Sequence, residues 1–308
     1  LLDLIAHPNA GQTSADFFES WYGYLLVSGN AYAEAVLIGD RVRELHALRS
    51  DRMKVIPGSE GWPEGYEYTA NGRSVRFGAD ADAAGGVSPI LHMKLFHPAN
   101  DHYGFSPIEA AATAIDIHNT AAGWNKALLD NSARPSGALV YGNGGGRLTA
   151  EQFERLKTEL ETNFQGAKHA GRPLLLEGGL DWKPLSLSPR DMDFIEAKNA
   201  AAREIALAVG VPPMLLGIPG DNTYSNYQEA TRSFWRQTVL PLVNRTAMAF
   251  TGWLAPAFGS GLLLRPNLDD VEALTFEREA IWRRLDAATF VSREEKREAA
   301  GYPPETSA

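Results

Sequence analysis

Ser188-Pro189-Arg190-Asp191 and, further on, Gly210-Val211-Pro212-Pro213-Met214-Leu215 bracket the stretch whose reading decides the fold. The serine oxygen can accept from first-turn amides, proline suits the first helical position, and Asp191 sits at the positive helix end. The spacing predicts a helix from Pro189. Its apolar positions Phe194, Ala197, Ala201, Ile205 and Ala208 line up a narrow, alanine-rich stripe suited to close helix contact. Gly210 ends it, and Val211-Pro212-Pro213 forces a stiff turn, because each ring removes an N–H and the residue before a proline is pushed to extended geometry. From Met214 through Leu215 to Asp221, Asn222 and Thr223 the chain turns from apolar to polar, with glycines and a proline that rule out a regular element. A second long helix is predicted from about Asn226 to Leu254, with Tyr227, Ala230, Phe234, Leu242 and Met248 among its apolar positions. Pro241 should bend it, since the carbonyl four residues back loses its donor.

Outward from that stretch the chain reads as α+β. Thr13, Ser14 and Asp16 open a helix with a broad aromatic face of Phe17, Phe18, Trp21 and Tyr22, closed by Gly29-Asn30. Strands follow over Ala31–Ile38 and Val42–Leu48, and a hairpin over Tyr66–Phe77 turns at Asn71-Gly72. Ile90–Phe96 reads as a further strand. Ser106-Pro107-Ile108-Glu109 is a capping box that starts a helix reaching about Asn131, roughly 37 Å long and kept slim by its alanines. Between the two long helices sits a compact module: a flexible run at Gly142–Gly146, a helix opened by Thr149 and Gln152, and a hairpin from Leu174 to Leu187. Near the C-terminus, Leu262-Leu263-Leu264 reads as a short buried strand, followed by charged helices from about Glu272 to Ala287 and from Ser292.

The 308 residues carry a formal charge of -9 and are 44% hydrophobic, so the chain is globular, and no basic face for gripping phosphates is expected. With 0 cysteines, disulfides and cysteine-ligated metal sites are excluded. No apolar run has the length of a membrane span, and no signal peptide is recognised; because residue 1 is leucine, the natural N-terminus is expected upstream. No phosphate-loop, His-Glu-x-x-His or Gly-x-Ser-x-Gly motif occurs. His92, His97 and His102, with Asp101 nearby, are the best metal candidates and carry the competing reading, a soluble metal-dependent hydrolase. A five-residue step on a strand puts successive side chains on opposite faces, so ordinary strand and loop histidines are the plainer reading. Lys198, Arg232 and Arg236 read as solvated or ion-paired helix surface.

Five stretches in this order resemble the portal protein family of tailed bacteriophages, in the branch of long-tailed phages and gene transfer agents: Gly29-Asn30-Ala31-Tyr32; Gly104-Phe105-Ser106-Pro107-Ile108-Glu109-Ala110; Asn131-Ser132-Ala133-Arg134-Pro135-Ser136-Gly137; Leu176-Glu177-Gly178-Gly179-Leu180-Asp181-Trp182; and Gly210-Val211-Pro212-Pro213 leading to Tyr224-Ser225-Asn226. Asn131-Ser132 stands where the family pattern has Asn-Gly. The resemblance implies a portal fold divided into wing (1–106), stem helix (107–136), clip (137–188), second stem helix (189–210), tunnel loop (211–226), bent wing helix and strand (227–268) and partial crown (269–308). It implies a homo-oligomeric ring of about twelve copies at the portal vertex of the virion, assembled in the bacterial host cytoplasm, a head-tail connector for packaging and ejection. The implied partners are the terminase large subunit, head-tail adaptor proteins, the major capsid protein and double-stranded DNA without sequence specificity; no membrane, cofactor or catalysis is implied. Pro212, Pro213, Met214, Leu215, Asp221, Asn222 and Thr223 would line the DNA channel. Gly142, Asn143, Gly144, Lys168, His169 and Arg172 would lie on the docking surface for motor and adaptors. A tail or adaptor ring protein would lack the order of long helix, compact module and long helix.

Overall fold

The computed structural model describes residues 1–39, 41–79, 86–130, 137–141, 149–164, 180–184, 194–218, 224–259 and 261–302. In chain order these form α1 (Leu2–Ala6), α2 (Ser14–Ser28), β1 (Asn30–Ile38), β2 (Arg41–Leu48), β3 (Met53–Pro57), β4 (Pro63–Ala70), β5 (Arg73–Gly78), β6 (Ile90–Lys94), α3 (Pro107–Ala110), α4 (Ala112–Asp130), β7 (Gly137–Tyr141), α5 (Ala150–Phe164), β8 (Leu180–Pro184), α6 (Phe194–Ala208), α7 (Tyr224–Phe234), α8 (Leu240–Phe258), α9 (Thr275–Ala287) and α10 (Arg293–Ala299). The chain divides into two compact units, Leu1–Ala110 with Ala206–Ala308, and Ala111–Ile205.

The first unit is organised around β1. It is the central strand of the antiparallel sheet β2-β1-β6, and Tyr32 pairs with Leu48 on one side and His92 on the other. Alternation along the strand sends Ala31, Ala33 and Ala35 to one face and Tyr32 to the other. The small alanines share a core with Phe17, Trp21 and Leu25 of α2, one helical face at steps of four, and with Phe250, Trp253 and Leu254 of α8. Within it the ring of Phe250 meets that of Trp21 edge-on, centroids 5.1 Å apart, and Trp253 donates its indole N–H to Ser88 O at 2.7 Å. Tyr32 instead joins Leu48, Met53, Val55, Tyr66 and Ile90, a second core that includes residues of the β3-β4-β5 sheet. Burial on both faces explains why β1 reads as a nearly continuous apolar run. The capping box predicted at Thr13 and Asp16 is present, and Asn71 and Gly72 both take positive φ (52° and 75°) to turn β4 into β5.

In the second unit β7 pairs antiparallel with β8, and the first half of the predicted Leu174–Leu187 hairpin lies outside the described residues. The rings of Trp124 on α4 and Phe194 on α6 lie 5.5 Å apart and bring the two slim helices together. Of the alanines that make these helices slim, Ala111, Ala114, Ala121 and Ala201 are buried, whereas Ala110, Ala112 and Ala197 are exposed and Lys198 is half-buried.

Other expectations are corrected. Leu262–Leu264 is not a strand: Leu263 is exposed, and Leu264 N–H donates to the Thr251 hydroxyl of α8 at 3.0 Å, so a helix side chain rather than a neighbouring strand satisfies it. Tyr227 and Met248 face outward, and the buried residues of α8 are Thr246, Phe250, Trp253 and Leu254. The helix predicted from Pro107 is interrupted at Ala111.

Candidate functional site

The segment between α6 and α7 starts with a tight helix end. Val211 N–H donates to Ala206 O (2.8 Å) and Gly210 N–H to Leu207 O (3.0 Å), the paired six-to-one and five-to-two bonds that close a helix when the residue after its cap is left-handed. Gly210 has φ 73°. Pro213–Leu216 then forms one 3-10 turn, closed by Leu215 N–H to Pro212 O at 2.9 Å and ended by Gly217 at φ 68°. Pro212, Pro213, Met214 and Leu215 are all half-buried, and this turn packs against α7. Asp221, Asn222 and Thr223 lie outside the described residues, as do Gly142, Asn143, Gly144, Lys168, His169 and Arg172.

Between α7 and α8 the helix does not simply bend at Pro241. Trp235–Val239 forms a π-helical turn, and α8 starts with Pro241 in its first turn. The wider turn accommodates a residue without an N–H where a regular ladder would need one. It also aims Thr238 at the end of α6, where its hydroxyl donates to Gly210 O at 2.6 Å. A Cβ on Gly210 would stand 2.7 Å from Thr238 Oγ1 and 2.8 Å from its Cγ2. So Gly210 is required twice, by its backbone conformation and by the close approach of Thr238. The run Thr238-Val239-Leu240-Pro241, β-branched residues ahead of a helical proline, was the signal available for this turn.

A second joint lies where the other long-helix segment begins. Gly29, at φ 75°, ends α2 and its carbonyl accepts Leu95 N–H at 2.8 Å. Asn30 Oδ1 accepts Gly104 N–H at 2.8 Å, and Asn30 Nδ2 donates to Ser28 O at 2.7 Å. Ser106 accepts Ile108 N–H at 3.0 Å as the cap of α3, while its own hydroxyl donates to Leu26 O in α2 at 2.9 Å. The backbones at Gly29 and Gly104 touch: a Cβ on Gly104 would fall 2.1 Å from Gly29 O and 2.7 Å from Leu95 N. Sequence reasoning saw a helix stop and a helix start here but missed that they are one joint. A glycine two residues ahead of a capping serine was the trace of it.

His92 belongs to this joint and not to a metal site. Its ring stacks on Tyr32 at 4.2 Å and its Nε2 lies 3.0 Å from Asn30 Oδ1. Because that oxygen already accepts from Gly104, the neutral ring donates to it. Burial, helped by nearby Lys94, pulls the His92 pKa down to about 3. His97 Nδ1 accepts Ala99 N–H at 3.0 Å, and among the described residues no three His, Asp or Glu side chains gather closely enough to hold a metal. Arg232 pairs with Glu229 and Arg236 with Glu277, as expected of helix surface.

Both joints lie within the first unit: one brings the backbones at Gly29 and Gly104 into contact, and the other fastens Gly210 through the Thr238 hydroxyl. The chain belongs to the phage portal protein family, whose model matches residues 1–301. It is 42% identical over 303 residues to an uncharacterized protein of Rickettsia bellii, covering 98% of this chain and 78% of that one. The portal protein of Enterobacteria phage HK97 is 25% identical over 308 residues, 96% and 68% of the two chains. Among solved structures, a chain in the neck of a native gene transfer agent particle, computed with C12 symmetry, is 57% identical and superposes with a TM-score of 0.73 over 98% of this chain and 84% of that one. The α+β architecture is thus that of a portal fold. No helix among the described residues is long and apolar enough to cross a membrane.

Proposed function

We propose that twelve copies of this chain form the ring at the neck of a virus-like particle, a channel for double-stranded DNA during packaging and ejection. The observation that carries this reading is the 57% identity over nearly the whole chain to a component of a twelve-fold gene transfer agent neck. On this reading α4 and α6 are the paired stem helices, residues 137–188 the clip that docks the terminase motor and later the adaptors, and residues 211–226 the loop facing DNA. Residues 1–106 and 227–268 form the wing, which meets the major capsid protein, and residues 269–308 begin the crown. The subunit guides DNA while a separate motor consumes fuel, so no catalysis is assigned to it.

The net charge of -9 per copy supports a conduit rather than a clamp. Each fixed cation on the wall would pair with phosphates and slow translocation, whereas an acidic wall leaves the duplex free to slide. The test is the assembly state of the purified 33.5 kDa chain: annular particles by negative stain and a mass of about 400 kDa by light scattering. A monomer at every concentration overturns the reading. Deleting Gly142–Gly146 should then weaken terminase or adaptor capture in a pull-down without unfolding the subunit; undiminished capture overturns the clip assignment.

A further inference from the structure

A closed ring of identical subunits needs two different, complementary patches on every copy, one for each neighbour. The first unit carries such a pair. One is a knob at the β3–β4 turn. Trp62 is 78% exposed there, yet its backbone is held: Gly58 N–H donates to Trp62 O at 2.7 Å, Gly61 N–H donates to Gly58 O at 3.2 Å, and Pro63 follows at once. An exposed tryptophan on a fixed turn loses little freedom on docking. Glu60 and Glu64 flank it, and neither makes an ion pair among the described residues.

The other is a groove of about 670 Å³ between α8, the extended segment after it and the Ala300–Tyr302 turn, with Met248 and Leu263 on its apolar side and Asn244, Arg265, Asp269 and Tyr302 among its polar lining. Met248 is 70% and Leu263 56% exposed, so the apolar side of the groove is uncovered. Arg278 is already taken by Asp269, but Arg265 is exposed and makes no ion pair among the described residues. An indole flanked by two carboxylates on one surface and a groove with an uncovered apolar side and an unpaired Arg265 on another are complementary in apolar character and charge.

We infer that Trp62 of one copy seats in the Met248–Leu263 groove of the next, with Glu60 or Glu64 meeting Arg265. The occupant is a second copy because one chain bears both halves. This inference rests on the ring reading above and identifies one of the contacts that closes the ring.

The absence of native cysteine makes the test clean. In Trp62→Cys/Met248→Cys, oxidation should give a ladder of covalent oligomers that neither single variant gives. Trp62→Ala should raise the concentration needed for half-assembly by about tenfold or more while leaving the circular dichroism of the subunit unchanged. Glu60→Lys/Glu64→Lys should weaken assembly and Arg265→Glu should restore it in that background. Wild-type rings with no cross-link and no effect of Trp62→Ala overturn the pairing alone; the same result with lost capsid incorporation assigns the knob to a capsid subunit and also overturns it. Failure of the wild type to form rings overturns the portal reading and this inference with it.

Discussion

Gly104→Ala should be among the most damaging single-methyl additions in this chain. The new Cβ would lie 2.1 Å from Gly29 O, 2.9 Å from Gly29 C and 2.7 Å from Leu95 N, all backbone atoms that cannot rotate aside. Relief requires the Gly29 and Gly104 segments to part. Overpacking of this kind costs about 1–3 kcal/mol. Parting also stretches two hydrogen bonds, Leu95 N–H to Gly29 O and Gly104 N–H to Asn30 Oδ1, each 2.8 Å long and worth about 1 kcal/mol. The sum is a loss of about 3–5 kcal/mol. With a slope of roughly 3 kcal/mol per molar, the urea midpoint should fall by about 1 M or more. The fluorescence of Trp21 and Trp253, both buried in the same unit, reports it. Gly123→Ala on α4 is the control, because a Cβ there meets nothing within 4 Å and replaces a mid-helix glycine. It should stabilise by about 0.5–1 kcal/mol. Midpoint shifts of the same sign and size for the two variants would refute the close-approach argument.

At the other joint, Gly210→Ala should cost about 2–4 kcal/mol from the forced left-handed backbone and the contact with Thr238, and in a Thr238→Ala background only the backbone share of about 1–2 kcal/mol should remain. Equal losses in both backgrounds, read by thermal melts, would show that the side-chain contact carries no energy. Thr238→Val keeps the shape but loses the 2.6 Å bond to Gly210 O, and the melt should drop by the equivalent of about 1 kcal/mol. For His92, with an unperturbed pKa of 6.5 and a folded value of about 3, the unfolded chain binds the extra proton first as pH falls. The stability this residue contributes is therefore whole above pH 6.5 and declines below it, by about 2 kcal/mol at pH 5. Glu34, raised by burial, tilts the other way, so the comparison is wild type against His92→Phe, whose stability should fall less between pH 7 and 5. Parallel pH profiles would remove His92 as the cause. Pro212→Ala/Pro213→Ala should leave rings intact, since both prolines lie in a local turn, but lower DNA packaging in a complementation assay; unchanged packaging would count against that turn's role.

What the sequence disclosed and what it hid divide by range. Helix ends written in a few adjacent residues were legible: Thr13 with Asp16, Thr149 with Gln152, and Ser292 with Glu295 form the reciprocal caps their spacing promises. The Asn71-Gly72 turn and the stop at Gly210 were legible for the same reason. Period alone misled where a helix is covered on one side only: Met248 fits the apolar pattern of α8, yet the core selects Thr246, Phe250, Trp253 and Leu254. Three leucines at 262–264 suggested a strand, but a strand needs a partner with matching free amides and carbonyls, and the segment finds the hydroxyl of Thr251.

The joints were hidden most completely, and the reason is physical. The contact between Gly29 and Gly104 joins two backbones, so no side-chain pattern encodes it; each glycine carries only half the requirement, and the left-handed turn at Gly29 already accounts for that residue locally. Ser106 was read as a cap, which it is, yet its hydroxyl also donates to Leu26 O, and the lone pair that caps leaves the proton free for a partner in another helix. The same economy recurs at Thr238, whose hydroxyl reaches Gly210 only because the π-helical turn ahead of Pro241 rotates it there. In both places a helix boundary visible in the sequence is fastened by a group whose local role conceals its distant one.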